Sequence, residues 1–339
     1  MTRWGVVLGG CCAAGLVLLA GCGTGVTGAA AADPAVVARV ARPIGAQDVF
    51  GAAATVNPCS IVDVNDATAV RDVEYLPADA LDDCALDVVL DDGTDTYVDV
   101  GPLESTVLDQ IPMTDLSLVQ SLPGGMALRM DNDPSDGFCE TYLVFPDGFD
   151  LTVSASDSKS DSTTEACVSA KAMARDAAGQ IEAGALRHLT YPAGSVALLN
   201  PCRLLARADI VHLLPNSMAT PYPEGHECQW LPGPGDSRSW LTVTFPVGEL
   251  DVSDPKTDKR VVIADRPPVT KSYEYSGVPG CDVTTALGRV PDGKEGQDNT
   301  DEAQLVEIGL ELDPGSTADA CATVSALAAA AWPTLPHTH

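Results

Sequence analysis

Apolar positions along the chain follow three regimes. From Trp4 to Ala20 they are nearly continuous, broken only by small residues. In the middle of each half they alternate with polar ones, as in Leu86-Asp-Val-Val-Leu, Thr96-Tyr-Val-Asp-Val and Asp150-Leu-Thr-Val-Ser, the period of half-buried strands. Over 163–182 and 317–332 they run in Ala-rich stretches that read as helix, the first ending before Gly184. Asp91-Asp92-Gly93-Thr94 and Pro146-Asp147-Gly148 sit between strands as hairpin turns, the second joining the run from Cys139 to Phe145 to its successor. Met126–Met130 is a further strand. The second half repeats the pattern with Trp240–Phe245, Val261–Ala264, Cys281–Leu287 and Gln304–Leu310. Each half thus predicts a helix, a mainly antiparallel sheet and a closing helix, a two-layer α+β arrangement.

The cysteines repeat as well. Asn57-Pro58-Cys59 recurs as Asn200-Pro201-Cys202. The next cysteine follows after 25 residues (Cys84) and 26 (Cys228), the third after a further 55 (Cys139) and 53 (Cys281). Cys167 and Cys321 then enter the Ala-rich helices. We read a tandem pair of domains, 33–188 and 189–335, with two disulfides each. Four cysteines allow three pairings per domain. The positions favour one: Pro in the first turn starts a helix at Asn-Pro-Cys, the second and third cysteines open strands, and the fourth opens the last helix. Helix-to-strand staples are then Cys59–Cys84, Cys139–Cys167, Cys202–Cys228 and Cys281–Cys321. No Gly/Ser linker separates the halves, and Leu186, Leu189, Tyr191, Val196, Leu198 and Leu199 between them predict that they pack together.

The N-terminal run follows a single basic residue, Arg3, and ends Leu19-Ala20-Gly21-Cys22. A basic start, an apolar core and a small-residue exit describe a secretory signal peptide, here 1–21. The exit looks like a bacterial lipobox, in which Cys22 is acylated and becomes the first residue. Buried acyl chains contribute about 0.8 kcal/mol per CH₂, so more than one chain anchors stably. Residues 22–32, rich in Gly and Ala, form a flexible tether. The expected location is the extracytoplasmic face of the membrane, where disulfides persist.

Charge narrows the partners. The formal net charge is -29 at pH 7, which argues against nucleic acid and against docking of the protein surface on anionic lipid. The membrane is reached only through the lipid anchor. The remaining partner is an unidentified envelope protein or a lipid-like ligand.

With these motifs in place the chain resembles actinobacterial and mycobacterial cell-envelope lipoproteins of a domain-of-unknown-function family. The resemblance rests on the lipobox, an Asp/Asn-Pro-Cys start followed by apolar residues, and the late Cys-Ala helix. The second half is the better match, keeping Leu204-Leu205 and Cys228-Gln229-Trp230, whereas the first has Cys84-Ala85-Leu86. The resemblance implies an α+β envelope module similar to the Mog1/PsbP-type lipoprotein folds, and it transfers no catalytic residue.

Candidate chemistry is sparse. Gly235-Asp236-Ser237 resembles the nucleophile block of GDS-type esterases, but no Asp-x-x-His follows, and His337 and His339 lie past the last helix. Asp131-Asn132-Asp133 with Asp136-Gly137 departs from calcium-loop spacing and reads as a polar turn before Cys139. Asp91, Asp92 and Asp95 read as hairpin-turn acids, and Asp298, Asp301 and Glu302 as part of a long polar loop. His212, on the first helix of the second half, and His226-Glu227 could hold a metal, but isolated surface histidines are the commoner case. No cofactor, metal site or catalytic residue is assigned. The function expected is a non-catalytic binding, sensor-like or scaffold module; a small-molecule or lipid binder is the alternative, and a cell-wall-directed hydrolase the third reading.

Overall fold

The alternating stretches form two sheets, antiparallel at every pairing. The computed structural model of the chain describes residues 43–336 apart from 64–68, 77–79, 106–114, 133, 135–136, 158–161, 233–238, 250–258, 261, 265, 267–268, 276–277, 290–301 and 315. The signal peptide, Cys22 and the tether therefore lie outside the described residues. So do Ser237 with its neighbours, Asp133, Asp136, Asp298, Asp301, His337 and His339.

A short helix, α1 (Ala46–Phe50), leads into the first sheet. Its strands are β1 (Val70–Tyr75), β2 (Cys84–Leu90), β3 (Asp95–Ser105), β4 (Leu116–Ser121), β5 (Ala127–Asp131), β6 (Phe138–Val144) and β7 (Phe149–Ser156). They lie in the order β1-β2-β3-β7-β6-β5-β4. One face takes Val98, Val100, Leu143, Leu151 and Val153 inward against α2 (Thr163–Ala183), whose Ala166, Ala170, Met173, Ala174 and Ala177 make its buried stripe. Small side chains let the helix lie close to the sheet. It stops at Gly184, which takes the left-handed conformation and donates to the Gln180 and Ile181 carbonyls.

The second sheet follows a short helix, α3 (Arg207–Leu213). It holds β8 (Met218–Pro221), β9 (Glu227–Leu231), β10 (Trp240–Thr244), β11 (Val247–Glu249), β12 (Lys259–Arg260), β13 (Val269–Tyr275), β14 (Val278–Arg289) and β15 (Glu302–Glu311). Their order is β12-β13-β14-β15-β10-β9-β8, with β11 beside β15. Read from β8, this is the order of the first sheet strand for strand, and the second and third cysteines of each half occupy matching strands. A closing helix, α4 (Ala320–Ala331), covers β13, β14 and β15. Asp319 caps it by accepting from the Ala322 N–H at 3.0 Å. Trp230, Val243, Ile308, Leu310 and Trp332 fill the core beneath. No helix among the described residues is long and apolar enough to cross a membrane.

Four disulfides join Cys59–Cys84, Cys139–Cys167, Cys202–Cys228 and Cys281–Cys321, the partners that the helix and strand positions favour. Two expected elements differ. Asn-Pro-Cys opens only a 3-10 turn, Pro58–Ile61 and Pro201–Arg203. In the first half Asn57 caps this turn through the Cys59 N–H at 3.2 Å, but Pro58 to Ile61 are all buried, so packing rather than a continuing helix sets their path. Of the strand expected at 261–264, Val261 lies outside the described residues, Val262 is exposed, and Ile263 makes an isolated pairing with Arg266, while β12 stands just before it.

Candidate functional site

The segment before β2 does not turn tightly into the strand. It projects as a tongue, residues 80–83, that reaches the second half. Ala80 pairs with Pro246 just after β10. Leu81, 1% exposed, joins the hydrophobic cluster of the second sheet, a burial that contributes about 1.5–3 kcal/mol. Asp82 Oδ1 meets His226 Nδ1. The tongue can approach because Gly101 in β3 has no side chain: a Cβ there would lie 2.9 Å from the Asp83 Cα and closer still to the Asp82 carbonyl. Its φ of 128° is also one that side-chain-bearing residues rarely adopt.

The contact is returned from the other side. In the turn before β9, Glu224 accepts the Leu103 N–H of β3 at Oε1. His226 turns Nε2 to the Ala197 carbonyl at 3.2 Å, within the segment joining the halves. That segment is tied on both sides. Thr55 Oγ1 contacts His188 Nδ1 at 2.8 Å and the Asn57 N–H donates to the Arg187 carbonyl at 2.8 Å, while Ser195 Oγ donates to Gln304 Oε1 at 2.6 Å. The reciprocity has a register. Ala80 and Glu224 each stand four residues before the second cysteine of their half. Pro246 and Leu103 each stand three residues past that cysteine's cross-strand partner, Val243 and Val100.

Burial makes this cluster unusual. His226 is 3% exposed and Glu224 6%. Desolvation, with Asp82 adding repulsion, pushes the Glu224 carboxyl well above the usual carboxylate range. Its Oε2 has no hydrogen-bond partner among the described residues, and Glu224 lines a cavity of about 10 Å³ together with Asp82, Leu103 and Phe50. Burial likewise raises the Tyr191 phenol, whose hydroxyl is unpartnered among the described residues.

On the other side of Asp82 lies an open groove of about 440 Å³ on the helix-free face of the first sheet. Asp82, Asp83, Asp99, Glu104, Glu140 and Glu227 line it, with Tyr142, Thr152 and Ser154 between them. The alternation of β3, β6 and β7 puts Asp99, Ser154 and Glu140 in one cross-strand row. Glu227 carries the acidity onto the second sheet, where Glu227, Thr244, Glu307 and Thr284 form the next row. Six carboxylates around an open cleft can attract a cation and repel an anion. Among the described residues that line the groove there is no imidazole, and the Tyr142 hydroxyl is paired with the Glu140 carboxylate.

Those residues singled out in the sequence that are described do not come together in one site. His226 is not at the surface but buried, because the tongue covers it; His212 lies in the last turn of α3. Among the described residues no three His, Cys, Asp or Glu side chains are placed to hold a metal ion. Asp92 does serve its turn, accepting the Thr94 N–H at 2.9 Å, which lowers its carboxyl. Asp82, Leu103 and Glu224 were missed. The one signal was positional: polar residues stand just before the second cysteine in both halves, Asp82-Asp83 and His226-Glu227.

No protein-family model matches the chain, and no curated protein matches it. Among solved structures there is a similarity to a crystal structure of MucB in complex with MucA(peri), at 12% identity over 75% of this chain and 85% of that one, with a TM-score of 0.12. At that score the similarity carries no argument.

Proposed function

We propose that the protein is a lipid-anchored, extracytoplasmic binding module of the cell envelope. On this reading it consists of two tandem copies of one α+β unit, about 33–188 and 189–335, and docks a cationic segment of a partner protein without catalysis. The observation that carries the reading is the groove with its six carboxylates. The copies are supported by the matching strand orders, the matching disulfides and the reciprocal junction. Self-complementary contact of equivalent positions is what a twofold pair of like units produces. The disulfides fit an oxidising compartment, and Leu19-Ala20-Gly21-Cys22 fits an anchor. An acidic body on a short tether is held off anionic headgroups, which leaves the groove open to a partner.

The anchor is tested by mass spectrometry of the mature protein from a bacterial host. A diacylated N-terminal Cys22, absent in Cys22→Ser, is the expected result, and an unmodified N-terminus elsewhere would remove it. The groove is tested by calorimetry with an oligolysine peptide, an oligoglutamate peptide and neutral lipid vesicles. Only the first should bind. Glu140→Lys with Asp99→Lys should weaken it about tenfold or more, and added salt should do the same. Equal binding of all probes, or none by oligolysine, would refute the groove.

A further inference from the structure

Of the cluster formed by Asp82 and the buried Glu224 and His226, the binding reading uses only Asp82, in the groove wall. We propose that it is a proton-operated clasp: while it holds its protons it fixes the tongue, 80–83, to the second half, and loss of the Glu224 proton releases the tongue and widens the acidic groove.

The geometry fixes where the protons lie. A carbonyl only accepts, so His226 Nε2 carries hydrogen toward Ala197. One further proton must then lie between His226 Nδ1 and Asp82 Oδ1, whichever atom holds it. Glu224 accepts from Leu103 at Oε1, its Oε2 is unpartnered among the described residues, and the side chain lines a space about large enough for one water. As a neutral acid it can donate into that space. As an anion it has only backbone N–H donors to set against burial and the charges of Asp82 and Glu104, and a poorly compensated buried charge is costly.

The groups facing the cluster are mostly acidic. Asp82 from the tongue and Glu104 from β3 press on Glu224. Asp82 in turn faces His226, Glu227 on β9 and the Tyr191 phenol. Burial and these neighbours raise Glu224 above its ordinary range, so the clasped form binds a proton that the open form has released. The clasp is therefore fully stable in acid and weakens as pH rises through the raised Glu224 titration.

Two residues couple the clasp to the groove. Asp82 borders both the small cavity and the groove. Leu103, held by Glu224, is followed at once by Glu104 in the groove wall. Freeing the tongue and the 101–104 stretch moves two walls of the groove together.

The Leu103 amide reports the clasp without any ligand, so this test stands apart from the binding reading. In the full disulfide-bonded protein its hydrogen-exchange protection factor should be high in mild acid and fall about tenfold or more as pH rises. Glu224→Gln, neutral at every pH and still an acceptor, should keep the protection and abolish the fall. If that variant does not fold, carboxyl-carbon NMR of wild-type Glu224 decides. The expected titration lies above the usual carboxylate range and coincides with the loss of Leu103 protection. Protection independent of pH, an equal fall in Glu224→Gln, or a Glu224 titration in the ordinary range would each overturn the clasp.

Discussion

The helix-free faces of the two sheets are built on the same strand order yet use their acids differently. Glu140 and Asp282 occupy matching places, each directly after the third cysteine of its half. Glu140 stands in the groove, where the Tyr142 hydroxyl donates to its Oε2 at 2.6 Å. Asp282 lies over Gly309 of the neighbouring strand: a Cβ there would come within 2.8 Å of its Oδ1 and crowd Thr242 as well. Desolvation, with Glu307 adding repulsion, pushes Asp282 up to about 7. Tyr273 folds over Gly280 in the same way, its hydroxyl 2.8 Å from where a Cβ would be. The missing side chains let these polar groups lie flat on the second sheet and lose solvent. Glu140 instead lines the open groove of the first sheet.

The largest effect should come from the feature the sheets share. Each has one staple to the 3-10 turn and one to the closing helix, so Cys→Ser at both ends of any one bond should cost about 2–5 kcal/mol in denaturant titrations. The bonds are not equal. Cys281–Cys321 closes 40 residues and Cys59–Cys84 closes 25, so the former should cost more by about 0.4 kcal/mol in the chain-entropy model. An unchanged midpoint after removing either would mean that packing alone holds the helices to the sheets.

Two glycines sharpen the comparison at the next level. Gly101 faces backbone, which cannot yield, and has a left-handed φ; Gly309 faces the ends of two side chains. Gly101→Ala should cost about 3 kcal/mol and loosen the tongue. Gly309→Ala should cost about 1 kcal/mol, because Thr242 and Asp282 can rotate away. Thermal unfolding of both variants checks the order, and a reversal would place the rigid contact in the second sheet instead.

Much of this architecture was legible in local pattern. Alternation with Gly turns marks β2, β3, β6, β7, β14 and β15, and cysteine order with helix and strand positions marks the bonds. The edge strands β1 and β8 were not read, since an edge with one neighbour needs few apolar residues; only Val70, Val73 and Tyr75 hint at β1. The buried cluster was illegible for another reason. Asp82 and His226 are 144 residues apart, Leu103 and Glu224 121. No local periodicity encodes a contact between halves, so Asp82, Glu224 and His226 each read as an ordinary surface polar group. Only its place before a cysteine, repeated in the other half, carries the information.

The smallest expected effect tests whether the second sheet really consumes its acid. A carboxyl raised in the folded state costs nothing when both states are protonated. As pH rises past the ordinary Asp value the unfolded chain ionises first, and folded stability declines until the folded group also ionises near pH 7. Above that the loss is complete and constant. Asp282→Asn removes this ionisation, so wild type and variant should differ little in acid. The variant should gain relative stability as pH rises, levelling off above neutrality. Because Asp282 is only partly buried, solvent screens the penalty and the gain should be modest. Glu140→Gln in the groove is the control, and midpoint denaturant concentrations across pH compare the two. A variant slope for Glu140→Gln as large as that for Asp282→Asn would show that both faces desolvate their acids alike, and the contrast between the sheets would fall.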